Sequence, residues 1–598
     1  MADEKRGWKQ FQRVTFDSRK ISRRMKKAEG ATTRHARKFI LGRLDSIRSV
    51  RRHIIDWLVL VGIMIFAVGA QFIWFQQSYQ TTAAASGGTY AEASLGPIDT
   101  LNPLYASSSA EIAASKLLFS SLFSYDNSGH LHGDLAESMQ VDASGTNYTV
   151  KLRPNVYWHD RELLTARDVA FTVNLIKNPQ TRSSLRVNWN DVTVSVVDDT
   201  TLQFHLPAVY AAFANALTFS VLPEHILSSV DPGAIRENTF SRSPVGSGPF
   251  SFLLLQTVNT SRQQKIVHMT AFDKYYAGAP KLNRFEVHSY ATQDDIVHAL
   301  RTGEVNAASD VTGTDASQID TRNYTIASQP DDSGVYALLN TTSTILKDKS
   351  VRQALQLATD ATALRKRLSG NTEPLDLPFI NGQLTGTDVP HASSADSTKA
   401  ATLLDAAGWK LLGGVRQKEG QKLALSVVTT KNPQYEKALE TLSGQWRKLG
   451  IVVTTNVVDT ADPSINFVQN ILQARNYDVL LYELFIGADP DVYAYWNSSQ
   501  ATANGYNFSN YSNKVADDAL ASARARLEPE LRNAKYKAFA KQWLDDVPAI
   551  ALYQPTVEYV YNKHVRSIDA SATLVSPYDR YQNILDWTVN QKQVYKTP

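Results

Sequence analysis

The chain has 598 residues and no cysteine, which excludes disulfides, thiolate catalysis and Cys-ligated metal centres. A hydrophobic fraction of 43% with 10% aromatic residues belongs to a globular chain, and the length calls for several lobes around separate cores. The net charge of +4 conceals an asymmetry, because residues 1–52 carry 17 Lys/Arg against 5 Asp/Glu, a head of +12 on a body of −8.

The head, 1–53, has no nucleic-acid motif beside it. Lys/Arg clusters next to a span orient the chain and contact acidic headgroups, which is the expected role here. Trp57–Phe75 follows, nineteen residues without a charge. At about 1.5 Å per residue it roughly spans a ~30 Å hydrocarbon core, with Trp57, Trp74 and Phe75 near its ends. A secretory signal peptide is the competing reading, with Ala83-Ala84-Ala85 as a cleavage site. The apolar run exceeds the usual ~7–15 residues and a long n-region precedes it, so an uncleaved helix over 54–76 is expected. The basic head then lies in the cytoplasm and the rest outside. Gln76–Thr89 reads as a Gln/Thr/Ala/Ser/Gly spacer, with the linker taken as 77–89.

His130-Leu131-His132-Gly133-Asp134 combines metal-ligand types, but exposed turn polarity explains it as well. Tyr148, Val150 and Leu152 alternate with polar residues as in a half-buried strand. A turn at Arg153-Pro154-Asn155 and a Trp158-containing strand follow. Thr165 then caps a helix with Asp168 near its positive end. Tyr336–Asn340 reads as a strand, and Ser350 as the cap of a helix presenting Val351, Ala354, Leu355 and Ala358. A second helix aligns Ala400, Leu403, Leu404 and Ala407 and stops at Gly408. Leu423–Thr429 is a strand, Asn432-Pro433 starts a helix ending at Leu449-Gly450, and Ile451–Val458 is the next strand. Strand, helix and strand with short joins make a right-handed βαβ unit, whose ligands gather beyond the carboxyl ends of strands. Tyr477–Leu484 is a further strand, so its exit loop Phe485–Tyr493 is a candidate ligand wall. No HExxH, GxSxG or Walker-type loop occurs.

The string Tyr148–Val169, YTVKLRPNVYWHDRELLTARDV, resembles the signature of the peptide/oligopeptide/nickel family of ABC-transporter solute-binding proteins. Asp99–Leu104, Leu118–Tyr125, Pro244–Phe250, Phe272–Pro280, Leu300–Asn306, Val351–Leu355, Leu403–Trp409 and Tyr477-Asp478 resemble further family blocks in the same order. Arg161 replaces the family's turn glycine, so a different turn type is expected there. The resemblance implies an α/β, periplasmic-binding-protein type II-like fold, two lobes with a hinge plus an inserted extra domain. The first lobe is expected over 90–135, 243–335 and 555–598, the insertion over 136–242 and the second lobe over 336–554.

It also implies a membrane-anchored receptor that captures oligopeptides, or a similar amphiphilic solute, and delivers them to an ABC permease with its separate ATPase. No catalytic role, cofactor, metal or nucleic acid is expected, and the chain is expected to be monomeric. A sensor signalling through the basic segment, or an extracytoplasmic hydrolase, are the alternatives. In peptide-binding relatives an aspartate four residues before a proline takes the peptide's α-amine; before Pro490 that position is Ile486, and the accompanying tryptophan is missing. Glu483 or Asp489 are the substitutes considered, and Tyr105, Tyr493, Trp496 and Tyr506 are candidate cleft aromatics because they pair broad apolar contact with a polar handle.

Overall fold

The computed structural model describes residues 44–595, apart from 369, 461, 463, 570 and 571. Most of the basic head, 1–43, therefore lies outside the described residues. Two compact units are present: Met1–Ala83 with Lys592–Pro598, and Ala84–Gln591. In the first, a 36-residue helix runs from Leu44 to Tyr79. Its segment Val50–Phe75 is long and apolar enough to cross a membrane, and none of it is buried against protein. The stretch read as a spacer is instead helical to Tyr79 and a strand over Gln80–Ala85, where Thr81 and Thr82 suit extended backbone.

In the second unit the chain is organised by one long strand, Ala549–Asn562. Its first part pairs antiparallel with Ser333–Leu339, from Val335↔Tyr553 to Leu338↔Ala549. Its second part pairs with Tyr324–Pro330 and Ala307–Val311. Beyond Ser333–Leu339 the sheet continues through Val479–Phe485, Ala424–Thr430 and Val452–Val458. On the other side it continues through Thr89–Leu95, Arg284–Tyr290, Gln264–Ala271 and Phe250–Asn259. A separate four-stranded antiparallel sheet orders Ala136–Val141, Asn147–Leu152, Thr201–His205 and Thr193–Asp198.

All seven residues of Ser333–Leu339 are buried. Side chains alternate between the faces of a strand, so Val335, Ala337 and Leu339 join one apolar cluster, and Tyr336 and Leu338 another. Helix Pro433–Lys448 covers the first face with Leu442 and Trp446, and helix Pro529–Asp546 covers the second with Phe539 and Trp543. The βαβ unit has the form expected: Asn432 caps the helix, Pro433 occupies its first position, and Gly450 turns at φ +83°. Its strands pair in parallel from Ala424↔Val452 to Thr430↔Val458. The helix Lys349–Leu357 starts two residues earlier than expected, because Asp348 rather than Ser350 caps it and accepts from the Ser350 amide. In the other half, Glu92 is wholly buried against Arg580, with Tyr559 and Tyr581 hydroxyls also donating to its carboxylate. This network fastens the returning C-terminal segment to the strand Thr89–Leu95.

The signature string folds as strand Asn147–Leu152, turn and helix Ala166–Lys177. Thr165 and Asp168 form a reciprocal capping box, and Asp168 also accepts from the Glu224 amide at 2.9 Å. Trp158 is core. Arg161 departs from expectation: it adopts φ +76°, the left-handed conformation a glycine would take, and its amide donates to the Trp158 carbonyl. Holding a non-glycine residue in that conformation costs about 1–2 kcal/mol. The Gly246–Gly248 crossing packs backbone on backbone, since a Cβ on Gly246 would stand 1.9 Å from the Leu118 carbonyl oxygen.

His159 locks the signature to that crossing. Its Nδ1 accepts from the Gly246 amide at 3.1 Å, and its Nε2–H donates to the Gly248 carbonyl at 3.0 Å. This pattern requires the neutral ring, and burial pushes its pKa down to about 4. The folded-state value lies below that of a free imidazole, so protonation favours unfolding. The contribution is complete above about pH 6.5 and is lost as pH falls toward 4. His159→Gln should melt at a less pH-dependent temperature than the wild type across that window; superimposable pH slopes would contradict the neutral clamp.

Candidate functional site

Where the two halves of the sheet meet, Pro555 stands within the long strand without an amide hydrogen to donate. The neighbouring crossing, Asp331-Asp332, joins Tyr324–Pro330 to Ser333–Leu339. Asp331 donates its amide to the Pro555 carbonyl at 2.8 Å, and Gln554 donates its side-chain amide to the Asp331 carbonyl at 2.6 Å. The Asp332 carbonyl in turn accepts the amides of Ile486 and Gly487, both at 2.9 Å. Two chain crossings and the start of the exit loop are thus tied at one place.

Above this junction lies a cavity of about 410 Å³. One wall is the exit loop, from Phe485 through Asp489 to Asp491; the others come from Lys116, Ser124-Tyr125, Tyr210–Thr218, Asp332 and Val575–Asp579. Lys116, Ser124 and Asp579 also border a second space of about 210 Å³ that reaches Asp134, Tyr275 and Tyr276. Tyr210 borders a third, about 670 Å³, lined by Val209, Tyr493, Tyr495, Tyr506 and Arg524. The segment before Thr218 reaches across to the exit-loop side. Ala211 donates to the Arg524 carbonyl at 2.9 Å, and Asn215 Nδ2 donates to Asp489 at 3.0 Å while its Oδ1 accepts from Tyr125.

Four carboxyl groups and a single lysine line the cavity above the junction, the main one because the exit loop and the crossing both border it. Asp489 is held by Arg532 in a two-pronged ion pair whose side chains are each 13% exposed. Asp491 pairs with Arg524 Nε at 2.9 Å, and the same guanidinium covers the rings of Tyr493 and Tyr210. Asp579 belongs to a capping box with Ser576; burial raises its pKa, and Lys116 opposes the shift. Asp332 is 4% exposed, and burial with the charge of Asp331 pushes its pKa well above the usual carboxylate range.

The residues singled out in the sequence divide among these places. Asp489 borders the main cavity with its charge already neutralised, while Tyr493 and Tyr506 border the third space. Glu483 accepts hydroxyl hydrogens from Ser333 and Tyr435, bracing two strands. Trp496 is fully buried, edge-on to Trp543 at 5.5 Å. Tyr105 lies under the Arg236 guanidinium, away from the three spaces. His130 and His132 are exposed, whereas Asp134 is turned inward to Ser121 and Tyr276. Sequence reasoning passed over Asp332, Lys116, Asn215 and Asp579. An adjacent acidic pair at a strand-to-strand crossing was the available signal for Asp332; the others are brought in by long-range packing.

Removing Arg532 would leave Asp489 charged and enclosed. Arg532→Met should lower stability by about 3–5 kcal/mol, and adding Asp489→Asn should recover most of the loss. Urea unfolding of both variants measures this, and an equal loss in both would contradict the ion-pair account.

Comparison with known proteins gives this geometry its context. Residues 130–507 match the family model described as bacterial extracellular solute-binding proteins, family 5 Middle. The oligopeptide-binding protein AppA of Bacillus subtilis is 28% identical over 482 residues, 78% of this chain and 86% of AppA. The structure of B. subtilis AppA with a nonapeptide superposes with a TM-score of 0.68 at 25% identity, covering 85% of this chain and all of that one. NikZ from Campylobacter jejuni, in complex with Ni(L-His), gives 0.69 at 26% identity, covering 84% and 99%. The fold is that of the type II periplasmic binding proteins, and the chain belongs to the bacterial extracellular solute-binding proteins of family 5.

Proposed function

We propose that the protein is a membrane-anchored receptor that captures an oligopeptide, or a similarly amphiphilic solute, outside the cytoplasm and passes it unchanged to an ABC permease. The observation that carries this reading is the cavity at the junction, walled by the exit loop on one side and by Tyr210–Thr218 and Val575–Asp579 on the other. Its volume of about 410 Å³ suits a small organic ligand, and the adjoining spaces give a longer one room to extend. The oligopeptide named for AppA supports the peptide class.

In this reading the lobes are 90–135 with 243–335 and 555–598, and 336–554, with 136–242 as the insertion. Closure is a hinge motion about Asp331-Asp332 and Gln554-Pro555, stabilised by what the solute adds in the closed state. Tyr493 and Tyr506 supply adaptable aromatic contact; Glu483 and Asp489 hold the walls in place. Tyr105 and Trp496 contribute to the fold around the site. The helix within Val50–Phe75 holds the receptor at the membrane, with the basic segment 1–53 on the cytoplasmic side. The permease and its ATPase are separate chains, and the receptor acts as a monomer without cofactor or nucleic acid.

Native mass spectrometry of the full chain in detergent micelles, exposed to a defined peptide pool, tests the proposal. Bound, intact peptides are the expected result, with the pool unchanged over hours. A consistently empty protein, or steady peptide cleavage, would overturn it.

A further inference from the structure

Of the four carboxyl groups on the main cavity, three have an answering group within the protein. Arg532 grips Asp489, Arg524 grips Asp491, and Asp579 accepts the Ser576 amide and feels the positive charges of Lys116 and Arg580. Asp332 differs. Among the described residues no lysine, arginine or histidine forms an ion pair with it, and its neighbour in side-chain hydrogen bonding is another acid, Asp331. It is nonetheless 96% buried by the complement of its 4% exposure, and it borders the cavity.

An ionised carboxylate at such depth is costly unless paired, and the protein supplies no cation for it. Its position is also fixed. The Asp332 carbonyl is held by the amides of Ile486 and Gly487, and the Asp331 side chain accepts from the Asp332 amide. The backbone therefore cannot swing the acid out to solvent without breaking the junction between the halves.

We infer that Asp332 is the seat for a cationic group, an ammonium or guanidinium, on the captured solute. This rests on the receptor reading above and narrows its ligand class. The charged and titratable groups around the seat are Asp331 on the same crossing, Asp579 after Ser576, Asp489 on the exit loop, and Tyr125 and Tyr495, with Lys116 nearer Asp579 and Asp134. Burial and its closest acidic neighbours favour the neutral acid. Seating the cation then exchanges one proton: the Asp332 O–H bond breaks, the proton passes to buffer, and the carboxylate accepts N–H hydrogens from the solute. No other bond changes. Because the seat is part of the hinge crossing, the same contact favours the closed form.

The probes are two tri- to pentapeptide pools free of Lys, Arg and His, one with free α-amines and one N-acetylated. Each is titrated calorimetrically into the full chain in detergent at pH 7, in phosphate and in Tris. The free-amine pool should bind at least tenfold more tightly and release about one proton per site, read from the difference in heat between buffers. Asp332→Asn should melt no lower than the wild type, bind the free-amine pool at least tenfold more weakly, and release no proton. Equal binding of both pools, or binding without proton release, overturns the seat at Asp332 while leaving a peptide receptor standing. Failure of both pools to bind overturns the peptide reading and the seat together.

Discussion

The arrangement depends on one constraint: a single strand, Ala549–Asn562, belongs to both halves of the sheet. Hydrogen bonds hold it to Ser333–Leu339 before Pro555 and to Tyr324–Pro330 after it. Pro555 donates no amide hydrogen where the partner changes, although its carbonyl accepts the Asp331 amide. Each half satisfies its own backbone and buries its own clusters. In the proposed reading, closure is centred on Asp331-Asp332 and Gln554-Pro555, and Asp332 borders the cavity.

The cavity's electrostatics follow from that placement. Asp489 and Asp491 come from the loop after Val479–Phe485, and their arginines from the end of helix Lys514–Arg524 and from within helix Pro529–Asp546, ahead of the shared strand. Those charges are balanced within one half. Asp332 comes from the crossing itself, and among the described residues no lysine, arginine or histidine forms an ion pair with it. Burial and the neighbouring Asp331 favour the neutral form of that carboxyl. The carboxylate sought at Ile486 is thus supplied, in this account, from the opposite partner of the Ile486 amide.

Much of the scaffold was legible in the sequence because local chemistry and tertiary structure agree. Thr165 with Asp168, and Asn432-Pro433 with Gly450, are start and stop signals that need no distant partner. The exit loop followed from strand polarity alone. Other features were not legible for physical reasons. Arg161 holds a glycine-like φ because the surrounding turn outweighs its local preference. Composition cannot distinguish a core tryptophan from a cleft one, and Trp496 packs on Trp543. Asn215 and Asp489 are 274 positions apart, so only the folded chain brings them together.

The central claim is closure of the two halves on a solute about the shared strand. The absence of native cysteine makes it directly measurable, since two introduced thiols would be the only ones. Spin labels at the exposed positions Thr257 and Lys448, one in each half, report the separation by pulsed electron resonance. The account predicts a broad distribution in the stripped protein that narrows to one shorter distance with saturating free-amine peptides. An identical distribution with and without bound peptide would contradict it.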